Sequence, residues 1–483
     1  MKGEYARSIL CRRKMTLVAG IDSSTQSCKV LVIEVETGKI VRQGKTPHPE
    51  GTEVAPSSWL EAFREASTQA GGLNDVAALA VGGQQHGMVL LDEAGKVIRP
   101  AQLWNDTKSA ASAAALIEEK GEDFWAQAVG SVPVASLTVS KLRWLADHEK
   151  ENLNRIAAIC LPHDWLTWKI RGSSDLRDLV TDRSDASGTG YVDCEDGSYR
   201  YDILAHALRI SEEEARKIIL PRIADPFEKV GNASAEFGGG ILGPGCGDNA
   251  GAALGLNLQE GEASLSLGTS GVVAAVAGHP LRDSKSGVTG FMDATGKWLP
   301  LACTINGSQI QDYFCRILGI NYLELDELAA KGETGCGGMT LLPYFAGERT
   351  PNLPEATASI FGMTPGAMTK ENFARLAFEG IACHMRAALE SVRAGGVTVN
   401  KAMLIGGAAK SAVLAQILSD ILQIPLRLPE PGEYVAKGAA RQAAIVAGEI
   451  PGQNWEPQFS AEIQPKEENP AWECYLPLME KLL

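Results

Sequence analysis

A carboxylate beside an amide, Asp248-Asn249, closes the glycine-rich run Gly243-Pro244-Gly245-Cys246-Gly247 and opens a stretch of small residues, Ala250 to Leu254. Glycines let a backbone turn tightly and approach a ligand closely. An Asp at the start of a helix sits where the helix dipole favours its ionised form. Such a carboxylate can take a proton from a hydroxyl as that hydroxyl attacks a phosphoryl group. The same residues also fit a plain helix cap after a glycine turn.

Two other short segments are shaped for phosphate. Ile21-Asp22-Ser23-Ser24-Thr25-Gln26-Ser27 lies between apolar runs, and so does Ser266-Leu267-Gly268-Thr269-Ser270-Gly271, about half a chain length later. Aligned, Asp22 falls on Ser266 and Thr25 on Thr269. Each reads as strand, tight hydroxyl-rich turn, strand, and a turn of that kind points N–H groups and hydroxyls at one spot. Only the first turn carries an acid, so Asp22 is the expected Mg²⁺ partner, acting through water. The alternative is an Asx turn that only shapes the hairpin.

Gly82-Gly83-Gln84-Gln85-His86-Gly87 follows a short apolar run, and glycine-flanked polar side chains at a strand end suit sugar hydroxyls. Leu103-Trp104-Asn105-Asp106 sets an aromatic beside polar groups, either to stack on a carbohydrate C–H face or to fill a core. Leu404-Ile405-Gly406-Gly407-Ala408-Ala409-Lys410-Ser411 reads as strand, small-residue turn and helix start, with room at Gly407 and Ala408 for an adenosine or an α-phosphate. Ala409 stands where a Walker A loop needs glycine, and Gly238 to Gly243 matches G-x-G-x-x-G without a strand before it.

The elements that must position these residues come in two similar sets. The first half predicts strands over 16–22, 29–35 and 39–45, a helix over 59–70, a strand over 76–81 and a helix over 109–120. The second half predicts strands around 262–279 and 298–304, helices around 308–318 and 370–394, a strand over 402–405 and a helix over 411–421. Three strands followed by alternating helices and strands, twice, indicate an α/β protein of two duplicated domains. The expected division is a tail over 1–14, an N-terminal domain over 15–255 with the sugar loop and Asp248, a C-terminal domain over 256–450 with the nucleotide turn, and an extension over 451–483. Met15 is a plausible alternative start. The segment 451–470, rich in Pro, Gln and Glu, reads as a surface excursion.

A chain of 483 residues exceeds one core, and 45% hydrophobic with 22% charged residues is ordinary for a globular protein. A net charge of −14 argues against nucleic-acid or anionic-membrane partners. Ten scattered cysteines, without metal spacing, fit reduced thiols in a cytoplasm.

With these residues assembled, the chain resembles the FGGY carbohydrate kinases from about Met15 to about Gly448. Ser136-Leu137-Thr138-Val139-Ser140-Lys141-Leu142-Arg143-Trp144-Leu145-Ala146-Asp147-His148 fits the family's first signature throughout. Similar stretches are Gly83 to Gly87, Leu103 to Asp106, Leu161 to Leu166, Ser184 to Thr189, Gly247 to Ala250, Ser264 to Val272 and Gly347 to Pro351. The chain departs from the common pattern at Gln85, where many relatives have Met, at Ala408 for a third glycine, and at Leu376 for a small residue.

The resemblance implies two ribonuclease-H-like domains of the actin and hexokinase type around a cleft, with ATP and Mg²⁺ as cofactors and a small sugar as partner. It leaves room for a homodimer. It implies transfer of a phosphoryl group to the 5-hydroxyl of D-xylulose, with ribulose, ribitol or erythritol as rival acceptors and an ATPase switch as a rival of another class. Carried over by residue, Asp248 is the catalytic base, and Gln85, His86, Trp104, Asp248 and Asn249 contact sugar. Asp22, Thr25, Lys29, Gly268, Thr269, Gly407 and Ala408 then hold ATP, and Asp22 and Asp248 face the metal.

Overall fold

A computed structural model describes residues 15–466 and 468–483 of the chain. The expected N-terminal tail, 1–14, lies outside the described residues. Leu17–Ser23 pairs antiparallel with Ser27–Glu34, which pairs antiparallel with Ile40–Pro47, while the other edge of Leu17–Ser23 runs parallel to Val76–Gly83. In the second half Gly261–Leu267, Gly271–Ala275 and Trp298–Thr304 form the same antiparallel trio, with Val399–Ile405 parallel to the first strand. The duplication therefore extends from the two turns to the whole sheet order.

Register shows how deep it goes. Asp22 lies opposite Lys29 and Gly82, and Ser266 lies opposite Val272 and Ile405. The sugar-loop sequence after Gly83 and the small-residue turn after Ile405 thus occupy equivalent places, each just beyond the parallel strand beside its hydroxyl-rich turn. Ligands of open α/β sheets bind at such strand ends.

Leu17–Ser23 is buried throughout, as a strand covered on both faces must be. Leu17, Ala19 and Ile21 point to one side, where the helix Ser57–Gln69 brings Trp59 and Phe63. Val18 points to the other, against Ala436, Ala439, Ala440 and Ala443 of the helix Tyr434–Val446. That helix lies in sequence between two strands of the second sheet, Leu426–Pro429 and Phe459–Ile463, but covers the first. It also lies backbone to backbone on Asp248–Gly255: a Cβ added at Gly438 would come 2.0 Å from the Gly251 carbonyl. Small residues at this crossing let the two halves meet.

The second sheet carries Lys370–Ala394 and Ala412–Leu422 on the face of Leu265 and Leu404. Most expected elements form within a residue or two of their predicted ends. The described residues of 451–470 are mostly exposed, as a surface excursion is, but the segment is anchored. Trp455 is fully buried and its indole N–H donates to the Val35 carbonyl at 2.8 Å. Phe459–Ile463 adds an edge strand to the second sheet, and Tyr475 lies buried with its hydroxyl 2.9 Å from that of Tyr344. Composition alone did not show these anchors, because an edge strand needs backbone partners more than apolar side chains.

Candidate active site

Between the halves lies a cavity of about 370 Å³. From the first half it is lined by Gln85, His86, Trp104, Ser136, Asp248 and Asn249. Opposite stand Ser270, Phe291, Thr304 and Arg349 of the second half. The expected sugar residues are therefore brought together, although most of the lining residues belong to the other domain.

Gly247 occupies the cap position and Asp248 is the first helical residue, one step further in than the sequence suggests. The Asn249 backbone N–H donates to Asp248 Oδ1 at 2.8 Å, and Asn249 Nδ2 donates to Asp248 Oδ1 at 3.1 Å and to Gln85 Oε1 at 2.9 Å. Gln85, Asn249 and Asp248 so form one hydrogen-bonded row along the cavity. The dipole does not decide the charge of Asp248. Loss of water, then the neighbouring Asp22 carboxylate, push its pKa up to about 7, outweighing the backbone N–H groups. A carboxylate with that value is poised to gain and lose a proton near neutrality.

His86 has a left-handed backbone, φ 67°, which turns its ring toward Phe291 at 5.3 Å between centroids. Burial, then the charges of Lys141 and Arg349, lower its pKa to about 3, so the ring is a neutral donor and acceptor. Trp104 is not in a core. It is 43% exposed at the cavity mouth, and its indole N–H donates to Thr25 Oγ1 at 2.8 Å, joining the sugar wall to the first turn.

In that turn Asp22 accepts from the Ser24 hydroxyl and pairs with Lys29 Nζ at 3.2 Å. Lys29 also meets Glu433 at 2.6 Å, and the two carboxylates outweigh burial to raise its pKa. Its ammonium is thus committed within the protein, which places a charge balance rather than an open cation beside Asp22. In the second turn the Gly268 N–H donates to the Ser270 carbonyl at 3.0 Å, and the Ser308 N–H reaches the Gly268 carbonyl at 2.7 Å. Thr269 is exposed, free of the sheet below it.

Ser308 also lines a second cavity, about 450 Å³, with Gln311, Tyr322, Leu323, Asp326, Gly407 and Ala408 among its walls. Tyr322 and Leu323 are exposed apolar side chains, suited to the face of a nucleotide base. Gly406 makes the turn possible. It has φ 94°, and a Cβ there would lie 2.6 Å from the Leu267 carbonyl. Gly407 has open space around it.

The Asp22 carboxylate acts on Asp248, and among the described residues no group of three His, Cys, Asp or Glu side chains is arranged to hold a metal ion. Two carboxylates suit Mg²⁺ carried in on nucleotide phosphates better than a resident ion, because Mg²⁺ keeps water and phosphate ligands.

Sequence reasoning missed Arg349 as a site residue although its segment was singled out. Its neighbour Glu348 faces inward, accepting from the N–H groups of Ile305 at 2.6 Å and Arg349 at 2.7 Å and pairing with His384 at 2.8 Å. Among the described residues Arg349 has no carboxylate partner, and it lines the cavity that Asp248 faces. The only signal in the sequence was a charged pair before Thr350-Pro351; which member faced inward depended on His384, far along the chain.

The paired sheets, twin turns and shared cleft define a sugar kinase of the actin and hexokinase type. Residues 17–255 match the FGGY family of carbohydrate kinases, N-terminal domain, and residues 263–447 its C-terminal domain. The chain belongs to this family and is an ATP-dependent carbohydrate kinase. It is 40% identical to the xylulose kinase of Streptomyces rubiginosus over 91% of each chain. It is 32% identical to that of Escherichia coli (strain K12), over 89% of this chain and 90% of the relative. Among solved structures, the xylulose kinase from Bifidobacterium adolescentis superposes with a TM-score of 0.93 at 47% identity, covering 96% of this chain and 99% of that one.

Proposed function

We propose that the protein phosphorylates D-xylulose at its 5-hydroxyl, giving D-xylulose 5-phosphate and ADP. The observation that carries the reading is the row Gln85–Asn249–Asp248 along a mainly apolar cavity between the halves, in a chain similar over most of its length to xylulose kinases. His86 and Asn249 hold the ketose hydroxyls, and Trp104 covers its apolar face. The adenosine rests at Gly407 and Ala408, with its phosphates over the turns of Thr25, Gly268 and Thr269.

Asp248 orients the terminal hydroxyl and takes its proton as the bond to phosphorus forms. The transition state is loose, so positioning and neutralisation supply most of the acceleration. Mg²⁺, facing Asp22 and Asp248, supplies charge neutralisation on the phosphates when bound. Arg349 adds a positive charge from the opposite wall. Closing the halves removes water that would otherwise accept the phosphoryl group.

We place this work in the cytoplasm, a setting that suits the nine described cysteines, all free thiols. Among the described residues no helix is long and apolar enough to cross a membrane. A homodimer is the assembly to test by light scattering.

The test is ADP release by the purified protein against D-xylulose, ribulose, ribitol and erythritol. Highest kcat/KM with D-xylulose is expected. Preference for another acceptor transfers the reading to that sugar, with Gln85 as the residue to blame, and sugar-independent hydrolysis alone would favour an ATPase switch.

A further inference from the structure

We infer that His163 and the carboxylates Asp164, Asp182 and Asp185 form a buried positioning centre that ties the loop bearing His86 to the loop bearing Asp248. The inference rests on the functional reading above for its kinetic consequences, not for its geometry.

All four side chains are at most 1% exposed. His163 Nδ1 lies 2.8 Å from Asp185 Oδ2 and 3.4 Å from Asp164 Oδ1, and its Nε2 lies 3.5 Å from Asp182 Oδ1. One buried imidazole thus faces three buried carboxylates. The carboxylates outweigh burial and hold His163 protonated, while burial lifts each carboxylic acid above its ordinary value. Such a cluster is a poor source of stability, since apolar residues of the same volume serve as well or better. Its bonds to the backbone show another use.

Two arms leave the cluster. Asp182 caps the short helix Arg183–Ser187, accepting from the Ser184 N–H at 2.7 Å and from the Ser184 hydroxyl at 2.5 Å. That hydroxyl in turn accepts from the Gly247 N–H at 3.0 Å, the residue immediately before Asp248. The other arm is one of packing, from the end of the helix that bears Asp185. Gly188, at the end of the same helix, lies against the His86 ring, where a Cβ would come 2.5 Å from its Cε1. One helical turn therefore grips both loops, and His163 grips that turn. Buried hydrogen bonds from the cluster to the short helix, and from that helix to Gly247, favour one arrangement of loops that have few such bonds of their own.

The reacting hydroxyl must meet the base within a fraction of an ångström, and a 1 Å misplacement costs on the order of 10²-fold in rate. His163→Gln in the full chain is accordingly expected to lower kcat on the order of 10²-fold. Ser184→Ala, which removes only the relay to Gly247, is expected to lower it about tenfold. Nucleotide affinity, read with a fluorescent ADP analogue, should stay within about twofold of wild type, because neither arm reaches the turns of the second half.

Amide exchange should accelerate in segments 84–88 and 245–249 above the rest of the first half. A folded variant with wild-type kcat and sugar KM overturns the proposal, and so does faster exchange spread evenly over the first half, the mark of a purely structural role. If His163→Gln does not fold, Ser184→Ala decides alone by the same criteria. Should the wild type turn over no sugar, the functional reading fails, while the exchange comparison still tests the centre.

Discussion

At Asp248 the requirements of catalysis and stability pull apart. Its pKa is raised to about 7 in the fold, from 3.8 as the model-peptide value. The folded state therefore binds the proton more tightly than the unfolded one, and stability falls as pH rises from the lower value to the higher. Asp248→Asn is expected to abolish sugar-dependent ADP release yet raise thermal stability, by up to a few kcal/mol at pH 8 and by less at pH 5. Melting curves at the two pH values check the sign; an equal or opposite change would show that the carboxylate is ionised without cost. Arg349 makes the complementary case, a cation with a cavity in front of it and no carboxylate beside it among the described residues. Arg349→Met should lower kcat on the order of 10²-fold with little change in sugar KM, as loss of a group acting on transition-state charge does. Of these residues Asp248, Asn249, Gln85 and His86 were named from the sequence as glycine-flanked polar groups at strand and helix ends, a pattern that also fits plain caps and that gained weight from its company in one chain. Arg349 was not, since its orientation depends on Glu348 being claimed by His384.

At the scale of elements, the sequence carried periodicity well and contacts poorly. The twin strand–turn–strand units were readable because apolar runs broken by small hydroxyl residues have a strong local signature. The turn after Val399–Ile405 was placed too, yet the residue that makes it work, Gly406, was passed over in favour of its neighbours. Its backbone lies against the Leu267 carbonyl of the adjacent strand, a contact invisible before the sheet is assembled. Gly406→Ala should cost about 1–3 kcal/mol of stability and weaken nucleotide binding more than sugar binding, because it combines left-handed strain with a backbone clash. Calorimetric titration with ADP and with the sugar separates the two effects. A variant that keeps wild-type affinity for both would remove the turn from the nucleotide site.

The whole molecule is two copies of one sheet order whose equivalent strand ends have diverged in use. In the first half the loop beyond the parallel strand faces the cavity we propose for the sugar; in the second, the equivalent turn faces the cavity we propose for adenosine. The halves are not independent beads. Tyr434–Val446 packs its alanines on the first sheet, and Trp455 anchors behind it. A fragment of residues 15–255 therefore leaves an apolar face uncovered and should be insoluble or bind a hydrophobic dye. Co-expression with residues 256–483 should restore a soluble, active complex. A folded, monodisperse 15–255 fragment would show that the covering helix is dispensable.

The sequence by itself determined the duplicated α/β plan, the two turns and the residues most suited to sugar and phosphate chemistry. Those depend on local spacing, and local spacing survives in one dimension. Tertiary structure alone decided that the pKa of Asp248 is raised to about 7 rather than held low by its helix, that Lys29 is occupied by Asp22 and Glu433, and that a C-terminal helix completes the N-terminal half. Each outcome is set by burial or by a charge brought from a distant part of the chain. Desolvation and Coulomb interactions depend on distance in space, which sequence separation does not encode.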